Sequence, residues 1–132
     1  MQDAIIAIDQ GTSSTRAVLF DKKFSTIHLE QESINTLYPA NGWVEQDAND
    51  IWKKTLLVTK NIISYAKSKN INVLSIGITN QRETIVAWNK DTGKVLSKAI
   101  IWQDRRTKDK CNELIINGLN KTINNKTGLL LD

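Results

Sequence analysis

The chain opens on an uninterrupted apolar run of strand length, Ala4-Ile5-Ile6-Ala7-Ile8. A short polar stretch separates it from a second β-rich run, Arg16-Ala17-Val18-Leu19-Phe20, and Asp21-Lys22-Lys23 separates that from a third strand spanning Phe24 to Ile34. Consecutive strands with short connections predict an antiparallel meander. A loop from Leu37 to Asp47 comes next, holding the only proline, Pro39, and the turn pair Asn41-Gly42. From about Ala48 to Lys67 the apolar period lengthens to that of a helix. Ile51, Thr55, Val58, Ile62 and Ala66 form the stripe, Trp52, Leu56 and Ile63 widen it, and Lys53, Lys54, Lys60 and Asn61 occupy the polar face. Asp47 suits the N-cap and Asp50 complements the helix dipole. Asn70-Ile71-Asn72 ends the helix.

Val73 to Thr79 then predicts a buried strand. The order strand, helix, strand predicts a crossover that adds it in parallel to the same sheet. Thr84 to Asn89 reads as another strand, Asn89 to Gly93 as a turn, and Ala99 to Trp102 as a short strand. A helix is expected from about Asp104 to Asn117, with Cys111, Leu114 and Ile115 on its apolar side and Gly118 at its end. The apolar triplet Leu129-Leu130-Leu131 is expected to enter a further strand. The fold class is α/β with a mixed sheet. No repeat or low-complexity linker divides the 132 residues, which form one domain.

Composition changes this picture little. Hydrophobic residues make up 40% and charged residues 24%, ordinary values for a globular domain. No apolar stretch approaches the roughly 20 residues of a membrane span, so no membrane partner is expected. The N-terminal Met-Gln-Asp-Ala-Ile has no secretory features, and Cys111 is the single cysteine, so a cytoplasmic location is expected. The net charge of +4 raises the question of nucleic acid. The lysines are dispersed, however, and Arg105-Arg106-Thr107-Lys108-Asp109-Lys110 is broken by an acid and reads as a solvated helix face. No nucleic-acid partner is expected.

Chemistry concentrates at two places. Between the first two strands lies Asp9-Gln10-Gly11-Thr12-Ser13-Ser14-Thr15. Gly11 lets the backbone approach an anion without a Cβ, turn N–H groups can form an anion-binding concavity, and Thr12, Ser13 and Ser14 add hydroxyl donors. Asp9 can hold Mg²⁺ through water. The alternative is an ordinary hairpin with a polar turn. Neither a GxxxxGK[ST] loop nor a GxGxxG motif is present. The second place is Asn80-Gln81-Arg82-Glu83, just beyond the strand ending at Thr79, where Arg82 donors and Glu83 acceptors suit the hydroxyls of a neutral polyol. Trp102 can supply an apolar wall. Here the alternative is a surface salt bridge with a core tryptophan. Neighbouring residues of a regular strand face opposite ways, so for Arg82 and Glu83 to serve one ligand, Asn80 to Glu83 must be an irregular loop.

The Asp-x-Gly-Thr core resembles the first phosphate loop of the sugar kinase, actin and heat-shock ATPase superfamily. The segments IAIDQGTSSTRAVLFD, YPANGWVEQDANDIW, IGITNQRETIVAWNKDTG and AIIWQDRRT resemble, in this order, the glycerol kinases of the FGGY carbohydrate kinase family. The resemblance runs from about Ala4 to Asp132, with GITNQRET its most specific part. It implies an incomplete ribonuclease-H-like domain of the actin/hexokinase type, residues 1–132 being the N-terminal part of the family's first domain. It also implies phosphorylation of glycerol by ATP, with Mg²⁺. Arg82, Glu83 and Trp102 would contact glycerol. Gly11, Thr12, Ser13 and Ser14 would surround the nucleotide phosphates, with Arg16 beside ADP and Asp9 near the metal. The catalytic base is an aspartate far downstream in this family, so no catalytic base is assigned within these residues and no turnover is expected from the chain alone. Either the chain works with the remainder of a kinase supplied in trans, or it is a non-catalytic remnant. An exposed sheet edge, with marginal stability or self-association through it, is also expected.

Overall fold

The computed structural model describes residues 2–132. Strand β1 (Gln2–Gln10) pairs antiparallel with β2 (Ser14–Asp21), and β2 pairs antiparallel with β3 (Thr26–Ser33). The meander read from three apolar runs is therefore present. Two short strands, β4 (Thr36–Leu37) and β5 (Glu45–Gln46), lie in the next segment, and helix α1 (Ala48–Ser68) starts directly after it. Asp47 caps α1 by accepting the N–H groups of Asn49 and Asp50, and Asn70, at φ +54°, turns the chain out of it. Strand β6 (Ile71–Thr79) then returns parallel to β1, giving a mixed sheet in the order β3-β2-β1-β6.

The core lies between one face of this sheet and α1. Ala4, Ile6 and Ile8 alternate along β1 as period-two geometry requires, Ala17 and Leu19 do so along β2, and Val58, Ile62 and Ala66 meet them from the helix. All of these side chains are buried. The covered line of α1 runs through those last three residues at four-residue spacing. Trp52 lies off that line and is 62% exposed, so it does not widen the apolar stripe as expected.

Five other expectations are corrected. Strand β6 is not buried: Leu74, Ile76 and Ile78 are all exposed. A run of apolar residues is buried in a parallel sheet only when elements cover both faces; α1 rests mainly over β2 and β3 and covers only one face of the sheet, where Ile71 and Val73 at the start of β6 pack against the core. Thr84 to Asn89 is not a strand. Only the isolated bridges Ile85–Ile100 and Trp88–Val95 form there, around a tight turn in which Asn89 Oδ1 accepts the N–H groups of Asp91 and Thr92. The stretch from Ala99 contributes only β7 (Ala99–Ile100), which pairs with β5 in a separate small sheet ordered β4-β5-β7. Helix α2 (Lys108–Ile116) starts later than Asp104, because that carboxylate is engaged in a turn with Arg106; Cys111 and Leu114 on its apolar side are only half-buried and Ile115 is exposed. The tail forms helix α3 (Asn120–Thr127), ended by Gly128 in the left-handed region, and Leu129 to Leu131 enter no strand.

The core assignment predicts a contrast within one helix. Ile62→Ala should lower unfolding stability by about 2–5 kcal/mol. Trp52→Ala should change it by no more than about 0.5 kcal/mol. Urea denaturation followed by far-UV circular dichroism measures both, and a reversed order would relocate the core.

Candidate functional site

The parallel pairing of β1 with β6 sets Asp9 beside Thr79, so the segments leaving the two strands emerge side by side. Crevices at the carboxyl ends of neighbouring parallel strands are where α/β sheets bind ligands. After β1 the chain makes the turn Gly11-Thr12-Ser13, closed by the Gly11 N–H donating to the Ser14 carbonyl at 2.9 Å. A Cβ on Gly11 would stand 3.0 Å from that carbonyl oxygen, closer than side chains ordinarily approach, so the tight turn favours glycine here. The turn is further held by the Ile34 N–H, which donates to the Ser13 carbonyl at 2.8 Å.

After β6 the chain is irregular from Asn80 onward, and Glu83 adopts φ +63°. The expected loop is therefore present. It turns Gln81 inward and leaves both Arg82 and Glu83 exposed. Trp102, half-exposed, reaches across from beyond β7 and donates its indole N–H to the Thr12 hydroxyl at 2.8 Å. These segments enclose a cleft of about 410 Å³ lined by Asp9 to Thr12, Asn80 to Glu83, and Trp102.

Of the residues singled out in the sequence, Asp9, Gly11, Thr12, Arg82, Glu83 and Trp102 are thus brought together. Ser13, Ser14 and Arg16 do not line this cleft. Ser14 opens β2, and Arg16 donates through Nε to Asp9 Oδ2 at 3.0 Å across the β1–β2 pair. Two buried glutamines that sequence pattern does not single out join the walls. Gln81 Nε2 donates to Gln46 Oε1 at 2.9 Å and to the Gly11 carbonyl at 3.1 Å, while Gln46 Nε2 donates to the Thr12 carbonyl at 2.6 Å. No periodicity marks either residue; the only available signal is the position of Gln81 next to the Arg82–Glu83 pair.

A second polar cluster fixes the segment that carries Trp102. Arg106 makes a fork to Asp104 (Nε to Oδ1 and Nη2 to Oδ2, both 2.8 Å), donates to Glu45 Oε1 at 2.7 Å, and lies 3.9 Å over the Trp43 ring. Asp104 Oδ2 also accepts the Val44 N–H at 2.6 Å. Arg106 therefore does not belong to a solvated helix face, which corrects the reading of that basic run. A guanidinium takes this role because its planar fork matches a carboxylate and stacks on an aromatic ring.

The N-terminal domain model of the FGGY family of carbohydrate kinases matches residues 4–132. The chain belongs to this family. It is 47% identical over 132 residues to the glycerol kinase of Geobacillus kaustophilus and 46% identical to that of Thermus thermophilus, covering all of this chain and 27% of each relative. The structure of Plasmodium falciparum glycerol kinase with ADP superimposes with a TM-score of 0.91 at 32% identity, over 99% of this chain and 26% of that one. Gluconate kinase from Lactobacillus acidophilus, at 21% identity and a TM-score of 0.86, shares the fold. This FGGY chain thus has the actin/hexokinase-like fold of sugar kinase N-terminal domains and spans about a quarter of the length of its relatives. Among the described residues no helix is long and apolar enough to cross a membrane.

The Arg106 cluster has a pH signature. Its hydrogen bonds hold the Asp104 carboxyl down from an ordinary 3.8 to about 2. A depressed carboxylate stabilises the fold fully above its unfolded pKa and loses that contribution as pH falls toward its folded one. Urea unfolding between pH 5 and pH 2 should therefore show the native chain losing more stability over that interval than Asp104→Asn. Parallel pH profiles would remove the ion pair from the account.

Proposed function

We propose that residues 1–132 are the N-terminal part of the first domain of an ATP-dependent glycerol kinase, contributing the phosphate turn and the polyol wall of its active site. The observation that carries this reading is the shared cleft, in which the acid-glycine-threonine turn after β1 and the Arg82–Glu83 loop after β6 face each other. Arg82 and Glu83 offer donors and acceptors to glycerol hydroxyls, and Trp102 presents a ring face to the carbon skeleton. Gly11 and Thr12, with Ser13, Ser14 and Arg16 nearby, surround the nucleotide phosphates. Because Thr12 accepts the Trp102 indole N–H, its own hydroxyl proton is left free to donate to a phosphate oxygen.

Asp9 fits a role beside Mg²⁺. One carboxylate oxygen engages Arg16, and the other accepts no hydrogen bond among the described residues. Mg²⁺ beside phosphates keeps several waters and takes one or two carboxylates. When bound, such an ion neutralises charge on the transferring phosphoryl group.

Transfer also needs a group that takes the proton of the attacking hydroxyl. Asp104 cannot serve, since both of its oxygens are occupied by Arg106 and Val44. The family resemblance implies that this role falls to an aspartate downstream of the region matched by these residues. Turnover therefore requires the remaining kinase sequence, and the chain alone binds without catalysis.

Isothermal titration of the 132-residue chain with glycerol tests the reading. Saturable binding is expected, weakened roughly ten- to hundredfold by Arg82→Ala through loss of charged hydrogen bonds. Binding unaffected by Arg82→Ala would refute the assignment of the polyol wall, and glycerol-dependent ADP release by the native chain would refute its dependence on the missing sequence.

A further inference from the structure

We infer that Gln81 is a positioning residue. Its buried carboxamide, held by Gln46, joins the Arg82–Glu83 loop to the Gly11–Thr12 turn so that ligands on the two walls are set by one joint. This rests on the proposed glycerol kinase function, though the joint itself is visible without any ligand.

Gln81 is only 9% exposed, whereas its chain neighbours Arg82 and Glu83 point outward, and Gln46 is fully buried. A primary amide has two N–H donors and one carbonyl acceptor. At Gln46 both donors are spent, on the Thr12 carbonyl at 2.6 Å and the Thr36 hydroxyl at 3.0 Å, which leaves its oxygen to accept from Gln81. At Gln81 the donors go to Gln46 and to the Gly11 carbonyl, with the Gln10 side-chain oxygen further off at 3.4 Å, while its oxygen accepts the Thr84 hydroxyl at 2.9 Å. The orientation of each amide is thereby dictated by the other.

The joint acts on both walls. The carbonyl oxygens of Gly11 and Thr12, which would repel a phosphate if left unpaired in the cleft, are both engaged by side-chain amides. The backbone carrying Arg82 and Glu83 also cannot move away from the turn without leaving buried polar groups unpaired, a costly state. Occupation of one wall should therefore favour occupation of the other, and such coupling is reciprocal. Gln81 touches neither ligand in this scheme; it acts through the two loops.

The test uses the ¹⁵N-labelled 132-residue chain in three forms: native, Gln81→Met, which keeps side-chain volume without hydrogen bonds, and Gln81→Glu. Amide hydrogen exchange needs no ligand. In Gln81→Met, exchange at the hydrogen-bonded amides of the turn, Gly11 and Ile34, and at Ile85, the hydrogen-bonded amide that follows the Arg82–Glu83 loop, should rise together by at least about tenfold, with Val58 to Ala66 unchanged as proof of folding. Gln81→Glu should do the same at neutral pH, where a carboxylate faces two acceptors. It should recover as acidification restores a donating carboxyl. A residue that merely fills space predicts no change for methionine and no pH-dependent rescue, so either of those results overturns the joint, as does a rise confined to one loop. Titration with glycerol and with pyrophosphate then reads the coupling. In the native chain, saturating pyrophosphate should tighten glycerol binding several-fold, and Gln81→Met should abolish that gain while the Arg82–Glu83 amides still respond to glycerol. A gain that survives in Gln81→Met contradicts the proposal. Joint exchange behaviour in a native chain that responds to neither ligand would support the joint and refute the functional reading instead.

Discussion

Everything at the site depends on the parallel pairing of β1 with β6. Had the chain after α1 returned antiparallel, the loop carrying Arg82 and Glu83 would leave from the opposite end of the sheet. The register is equally constraining, since Asp9 stands against Thr79. A one-residue slip in a strand exchanges its faces. The buried alternation Ala4, Ile6, Ile8 against α1 resists such a slip and so protects the placement of the cleft. Core packing and function meet in this single ladder.

The ladder positions the strand backbones, and buried polar contacts position the loops that leave them. Apolar packing alone is weakly directional, whereas the Gln81–Gln46 amides and the Asp104–Arg106 fork each admit one geometry. The first sets the Arg82–Glu83 loop on the Gly11–Thr12 turn. The second fixes the segment from which Trp102 reaches Thr12, with Trp43 stacked behind Arg106 and Val44 tied to Asp104. The cleft is thus framed by joints that draw on residues far apart in the chain, which is why its shape is a property of the fold and not of any one motif.

That distribution also explains which parts were legible in the sequence. The meander, the crossover, α1 and its Asp47 cap all announce themselves by period and by local capping chemistry. The irregular loop at Asn80 to Glu83 was implied by the alternation rule applied to two adjacent ligand-type residues. Burial of β6 was not legible, because an apolar run reads the same whether or not anything covers it. Strands as short as β4, β5 and β7 carry no period at all. The roles of Arg106 and Gln81 depend on Glu45 and Gln46, which lie distant in sequence, so composition suggested a solvated basic face for the first and nothing for the second.

The central claim is that this chain supplies a working phosphate turn and polyol wall to a glycerol kinase. The most direct measurement replaces the equivalent N-terminal region of the Thermus thermophilus glycerol kinase, 46% identical over these 132 residues, with this chain and follows ADP formation. The account predicts glycerol-dependent ADP formation that is lost on Arg82→Ala. A folded chimera that binds ATP yet shows no response to glycerol would contradict it.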